Sequence, residues 1–128
     1  MQEKDWKRIA EKEARHYRNH MAFMRGVEDA KGGETERYRQ SGKWVLAVNY
    51  VLEHLKRTDP EKERFFRCIY GIDSGKPRRG ERAFLALAFE FHTTSSTLYR
   101  WRNEMVSLLL IAASQTGALI PYRIEPER

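Results

Sequence analysis

The sequence predicts an all-α protein: a long N-terminal helix, then a small helical bundle containing a C-terminal helix-turn-helix. Three observations carry that expectation. No segment alternates apolar and polar residues with β-branched side chains over five or more positions, as a half-buried strand would. Apolar residues instead recur three and four apart along most of the chain, the spacing that lines one helix face. Glycine and proline stand between those stretches and punctuate them.

The elements follow in order. Trp6, Ile9, Ala10, Tyr17, Met21, Met24 and Val27 form one stripe, so residues 3–30 read as a single amphipathic helix. Glu13 interrupts the stripe and narrows its packing face. Lys31-Gly32-Gly33 ends it, and the domain reading sets residues 1–31 apart as an oligomerisation arm. Residues 32–42 are polar with three glycines and read as a linker. A second helix covers 43–57, with Trp44, Val45, Val48, Val51, Leu52 and Leu55 inward. Thr58-Asp59-Pro60-Glu61 then starts a third, either by a Thr58–Glu61 capping box or by an Asp59 cap with Pro60 in the first turn. Phe65, Phe66, Ile69 and Cys68 are its apolar face, and Gly71 stops it. Residues 72–80 are a loop. A fourth helix over 81–91 turns Phe84, Leu87, Ala88 and Phe91 inward. After a break at 92–94, a fifth runs from Ser95 to about Gln115, apolar on nearly all sides over 105–113, and Gly117 caps it. The bundle domain spans 43–122, and 123–128 form an extended tail.

Composition narrows the function. The 128 residues carry a net charge of +6, drawn mostly from residues 41–80 and not at all from 81–128, so a polyanionic partner suits the middle of the chain. One cysteine, Cys68, excludes a disulfide scaffold and a cysteine-rich zinc module. No apolar run is long enough to span a membrane, and residues 1–8 lack the apolar stretch of a signal peptide, so a cytoplasmic protein is expected.

The segment from Phe84 to Asn103 has the spacing of a helix-turn-helix. Two short helices crossing over a tight turn need a small residue at the crossing, a residue tolerant of the left-handed region in the turn, an N-cap, and two apolar anchors three apart. Ala88, His92, Thr94, and Leu98 with Trp101 occupy those places. Histidine stands where glycine is usual, and it tolerates the left-handed region better than most residues do. The outward positions of the second helix are then Ser95, Ser96, Tyr99, Arg100 and Asn103. Hydroxyls can meet phosphates or base edges, Arg100 guanine or a phosphate, and Asn103 adenine, while the helix N-terminus itself favours a phosphate. Thr94 joins this candidate DNA-binding set.

From Phe65-Phe66 and Ile69-Tyr70, through the loop and helix-turn-helix, to Leu98-Tyr99-Arg100-Trp101-Arg102-Asn103-Glu104 and the closing Gly117-Ala118-Leu119-Ile120-Pro121-Tyr122, the chain resembles phage transcriptional activators of the ArpU/RinA type. Their C-terminal half is similar to region 4 of sigma factors. The resemblance covers about residues 44–122 through loose patterns and leaves residues 1–40 outside. It implies a prophage-type activator of late genes that binds double-stranded promoter DNA and works with RNA polymerase.

Lys76-Pro77-Arg78-Arg79-Gly80 is the densest basic cluster and lies just before the motif, where Lys76, Arg78 and Arg79 suit a phosphate clamp. Other signals point away from chemistry. His16 and His20 are four apart with Glu13 near, but a structural metal needs four ligands, so a solvated face is expected and no metal or cofactor. Glu53, Glu61 and Glu63 sit at ion-pairing distances from lysines and arginines. Cys68 reads as buried and inert, and no glycine-rich phosphate loop is present. No enzyme is expected. A homo-oligomer is, most simply a dimer, because one helix-turn-helix reads few base pairs. Two rival readings stand beside the activator: a phage small terminase subunit, which also binds DNA but assembles as a ring, and a helical protein–protein interaction module.

Overall fold

A computed structural model describes residues 2–119, and among these the chain is helical with no strand. The helices are α1 (Glu3–Arg15), α2 (Tyr17–Asp29), α3 (Glu36–Thr58), α4 (Pro60–Tyr70), α5 (Glu81–Glu90) and α6 (Ser95–Thr116). The tail 123–128 and the closing Ile120-Pro121-Tyr122 lie outside the described residues.

The long helices α3 and α6 run antiparallel through the centre. At one end the Gln40 side chain donates to the Ala118 carbonyl at 2.7 Å. At the other, Thr58 and Leu55 of α3 share a groove with Asn103 and Ser107 of α6. Helix α1 packs on α6 and α4, α2 lies along α3, and α5 rests on α6. The core gathers Trp44, Val48, Val51 and Leu55 from α3, Phe65, Phe66 and Tyr70 from α4, and Leu98, Met105 and Leu109 from α6.

The N-terminal region departs from the expected layout in three ways. The 3–30 helix is broken at His16, whose backbone (φ −96°, ψ 15°) leaves the helical region while its N–H still reaches the Lys12 and Glu13 carbonyls. The break separates two packing duties, because α1 faces α6 and α4 while α2 faces α3. A Glu13–His20 contact of 2.7 Å spans it. Second, residues 36–42 are not linker. Thr35 caps α3 by accepting from the Tyr38 N–H, and the polar residues that follow face α2. Ser41 meets His20 Nδ1 at 3.0 Å, the Tyr38 hydroxyl donates to Glu28 at 2.6 Å, and the Arg37 guanidinium lies 4.0 Å from the Phe23 ring centre. The connector shrinks to 30–35. Third, α1 is packed into the core, whereas α2 buries no residue. Ala10 and Ala14 are fully buried and Glu11 nearly so, which makes α1 a wall of the core.

The other boundaries rest on local chemistry. Asp59, not Thr58, caps α4 by accepting from the Lys62 N–H, with Pro60 in the first turn. Gly71 closes α4 at φ +62°, and a Cβ there would lie 2.7 Å from the Pro77 nitrogen, so the return of the 76–80 loop requires glycine. Along the apolar end of α6, Met105, Val106, Leu109, Ala112 and Ala113 are covered and Ile111 remains exposed.

Candidate nucleic-acid interface

Helix α5 ends in a Schellman turn. The Thr93 N–H bonds the Ala88 carbonyl and the His92 N–H bonds the Phe89 carbonyl, while His92 takes φ +52°. The turn therefore makes the demand on His92 that its position implies. Thr94 then caps α6, its Oγ1 accepting from the Thr97 N–H at 3.2 Å. Leu98 is fully buried, and Trp101 stands edge-on to Phe65 (5.7 Å) and Phe91 (6.2 Å). Phe65 also meets Phe84 at 5.8 Å and Phe91 at 5.9 Å, so one aromatic cluster clamps α4, α5 and α6 together. The orientation of the first turns of α6 is set from behind by this cluster.

The opposite face is open. Ser96, Arg100 and Asn103 are exposed, and Ser95 is half-buried. Arg100 reaches back to the Thr97 hydroxyl at 3.4 Å, which leaves most of its guanidinium free. Tyr99 sits on this side too, but its ring stacks on Phe84 at 4.5 Å and is partly committed to packing. Asn103 borders a groove of about 600 Å³ whose far rim carries Lys62, ion-paired to Glu104 (2.8 Å) and Asp59 (3.8 Å).

The basic loop is divided rather than gathered. Lys76 is exposed, its N–H held by the Ser74 hydroxyl. Arg78 forks onto Glu90 of α5 at 3.1 and 2.6 Å, which raises the guanidinium pKa and lowers that of the carboxyl. Its N–H also bonds the Cys68 carbonyl, so Arg78 fastens the loop to α4 and α5 and its charge is matched. Arg79 is exposed and, with Arg78, borders a cavity beside α1 and α6 that is also lined by Arg15, Arg102 and Tyr99.

Behind that cavity lies a buried network. The Tyr70 hydroxyl donates to Glu11 at 2.8 Å, and Arg102 donates to both Glu11 oxygens at 3.0 and 2.6 Å. Burial, then the Glu11 charge, holds the Tyr70 phenol far above its usual pKa, so it stays a donor. The Glu11 bonds raise the pKa of Arg102. Neither Glu11 nor Arg15 stands out in the sequence, because both read as ordinary charges on an amphipathic helix. Glu11 and Arg102 are 91 residues apart, and no local pattern joins them.

The remaining polar residues occupy structural places. Glu13 and Ser41 hold His20, and the bond from His20 lowers the Glu13 pKa. Cys68 is half-buried, and burial pushes its thiol up. Among the described residues no group of three His, Cys, Asp or Glu converges as a metal site, and no helix is long and apolar enough to cross a membrane. No family model, curated protein or solved structure matches the chain.

Proposed function

We propose that the chain is a sequence-specific DNA-binding protein in which α5 and α6 act as a helix-turn-helix and the first turns of α6 enter the major groove. One observation carries this reading. Ser96, Arg100 and Asn103 stand exposed on the side of α6 opposite Leu98 and Trp101, so a polar face is presented by a helix that is rigidly held from behind. Arg100 then contacts guanine or a phosphate, Asn103 adenine, and Thr94, Ser95 and Ser96 the phosphates around the helix N-terminus. Tyr99 contributes its exposed edge. Lys76 and Arg79 supply phosphate contacts, and Arg78 keeps their loop in place through Glu90.

The resemblance to ArpU/RinA-type activators extends the reading to transcriptional activation of late phage genes, with RNA polymerase as a partner and a dimer on a symmetric site. The exposure of Phe89 (84%) and Leu85 (51%), one turn apart on α5, favours a protein partner on the same unit. Selection of bound sequences from a random DNA pool tests the proposal. A recovered consensus is the expected result, and a palindrome reports the dimer. Failure to recover any sequence at low salt turns the reading to a helical interaction module. A mass of eight or more chains in solution turns it to a terminase-like packaging subunit.

A further inference from the structure

The cavity between α1, the end of the basic loop and α6 measures about 280 Å³, and four arginines line it against one carboxylate. Two of the four are neutralised. Arg102 is paired to Glu11, and Arg78 to Glu90. Arg15 and Arg79 have neither an ion pair nor a side-chain hydrogen bond among the described residues. They face the same space, and burial, followed by repulsion from Arg79, lowers the Arg15 pKa. Arg15 is half-buried and Arg79 exposed, so two guanidiniums without an ion pair meet at one concavity. The N-terminus of α5 opens at the same rim, where Gly80 provides no side-chain cap. Such a terminus adds unpaired N–H groups and a positive partial charge.

We propose that this cavity is a phosphate-binding site, that Arg15 of α1 and Arg79 of the loop are its ligands, and that the phosphate is one of the DNA backbone. The phosphate class follows from the donors, since paired guanidinium forks match the oxygens of a tetrahedral oxyanion. The DNA source rests on the reading of α6 as the DNA-facing helix. Ser95, Tyr99 and Arg102 lie four and then three residues apart, so one stripe of α6 leads from the N-terminal turn to the cavity wall. A strand passing that turn brings its next phosphates over Arg79 and Arg15. The N-terminal helix, which the helix-turn-helix motif does not include, thereby becomes part of the binding surface.

Two titrations of the full chain test this, with Arg15→Gln and Arg79→Gln against an Arg25→Gln control on an exposed part of α2. In the first, inorganic phosphate is added and amide resonances are followed. Shifts centred on Gly80 and Arg15 in the parent and control, lost in both cavity variants, are expected. No response at the cavity, or a parent-like response in Arg15→Gln, overturns the site. In the second, DNA affinity is measured across a salt series. Each cavity variant is expected to lower the slope of log K against log salt by about 0.9, with the control unchanged. A parent-like slope in Arg15→Gln, beside an intact phosphate response, overturns the DNA source and assigns the site to a free phosphate-bearing ligand. If the parent binds phosphate at the cavity and no DNA, the DNA-binding function and the DNA source fall together while the anion site stands. The Arg15 side chain makes no hydrogen bond among the described residues, so Arg15→Gln is expected to melt with the parent.

Discussion

The two halves of the molecule are held by different chemistry. The α4–α6 half is clamped by rings, with Phe65 meeting Phe84, Phe91 and Trp101 at 5.7–5.9 Å. The α1–α2 half is fastened largely by polar pairs that cross to distant elements: Glu11 to Tyr70 and Arg102, Tyr17 to Asn49, His20 to Ser41, and Arg18 to the Asp73 carbonyl. Apolar clusters tolerate some variation in geometry, because dispersion and burial are non-directional. Polar pairs need both partners in place, and a lost partner leaves a charge or a donor stranded. Each half is therefore fragile in its own way, the C-terminal half to loss of volume and the N-terminal half to loss of a single hydrogen-bonding group.

Substitutions in both halves and one deletion probe that contrast. The largest effect is expected from Phe65→Ala, which empties the centre of the aromatic cluster. Truncating a buried phenylalanine costs about 3–5 kcal/mol, and a denaturant midpoint lowered by less than about 1 kcal/mol-equivalent would show that the cluster does not hold the α4–α6 half. Trp101→Ala should follow closely, and its loss of DNA binding should track unfolding.

Glu11→Ala comes next. It strands Arg102 and the buried Tyr70 hydroxyl, and about 2 kcal/mol is expected, less than for breaking a fully buried pair because Arg102 is 40% exposed. Glu11→Gln keeps an acceptor for Tyr70 and should cost less. The same geometry predicts that deleting residues 1–30 destroys the fold, since Ala10, Glu11 and Ala14 line the core. A stable, cooperatively melting deletion variant would restore the N-terminal segment to the status of a separable arm.

A smaller effect attaches to Glu13, whose pKa lies below its usual value of 4.5 because His20 hydrogen-bonds to it. Its ionised form favours the folded state. Its contribution is therefore complete above pH 4.5 and is lost as the pH falls through the lower, folded-state value. Glu13→Gln should remove about 1 kcal/mol at neutral pH and flatten the acid limb of the stability profile. An acid limb identical to the parent's would show that the bond across the His16 break does not contribute to stability.

The smallest stability effects belong to the exposed face of α6. Arg100→Ala and Asn103→Ala should leave melting within about 0.5 kcal/mol of the parent. Each should nevertheless lose about 1–3 kcal/mol of specific DNA binding, with less change in non-specific binding. If both variants bind selected DNA like the parent, the face does not read bases.

The legible parts of this chain share one property: their causes are local. The apolar spacing of Trp44 to Leu55 and of Phe65 to Ile69 marks helix faces, and both faces are largely buried. Gly71, Thr94 and Gly117 terminate or cap helices through bonds to residues a few positions away. His92 stands between a small crossing residue and an N-cap, and it takes a positive φ. Thr58 and Asp59 are both adequate caps by residue type, and the backbone geometry selects Asp59. The start of α3 is not legible, because Glu36, Arg37 and Arg39 resemble a solvated linker until α2 packs beside them.

Residue order is enough to make the chain helical, to end most of its helices, and to make one side of the α6 N-terminal turns apolar. These follow from residue period and capping chemistry within a few positions. Tertiary structure alone decided that α1 is a core wall, that Arg78 is matched by Glu90 while Arg79 is not, and that Arg15 joins Arg79 beside α6. Each of these depends on which elements distant in the chain come to lie side by side. A charge on an amphipathic helix has the same local pattern whether it ends in solvent, in an ion pair or in a cavity, and only packing separates the three.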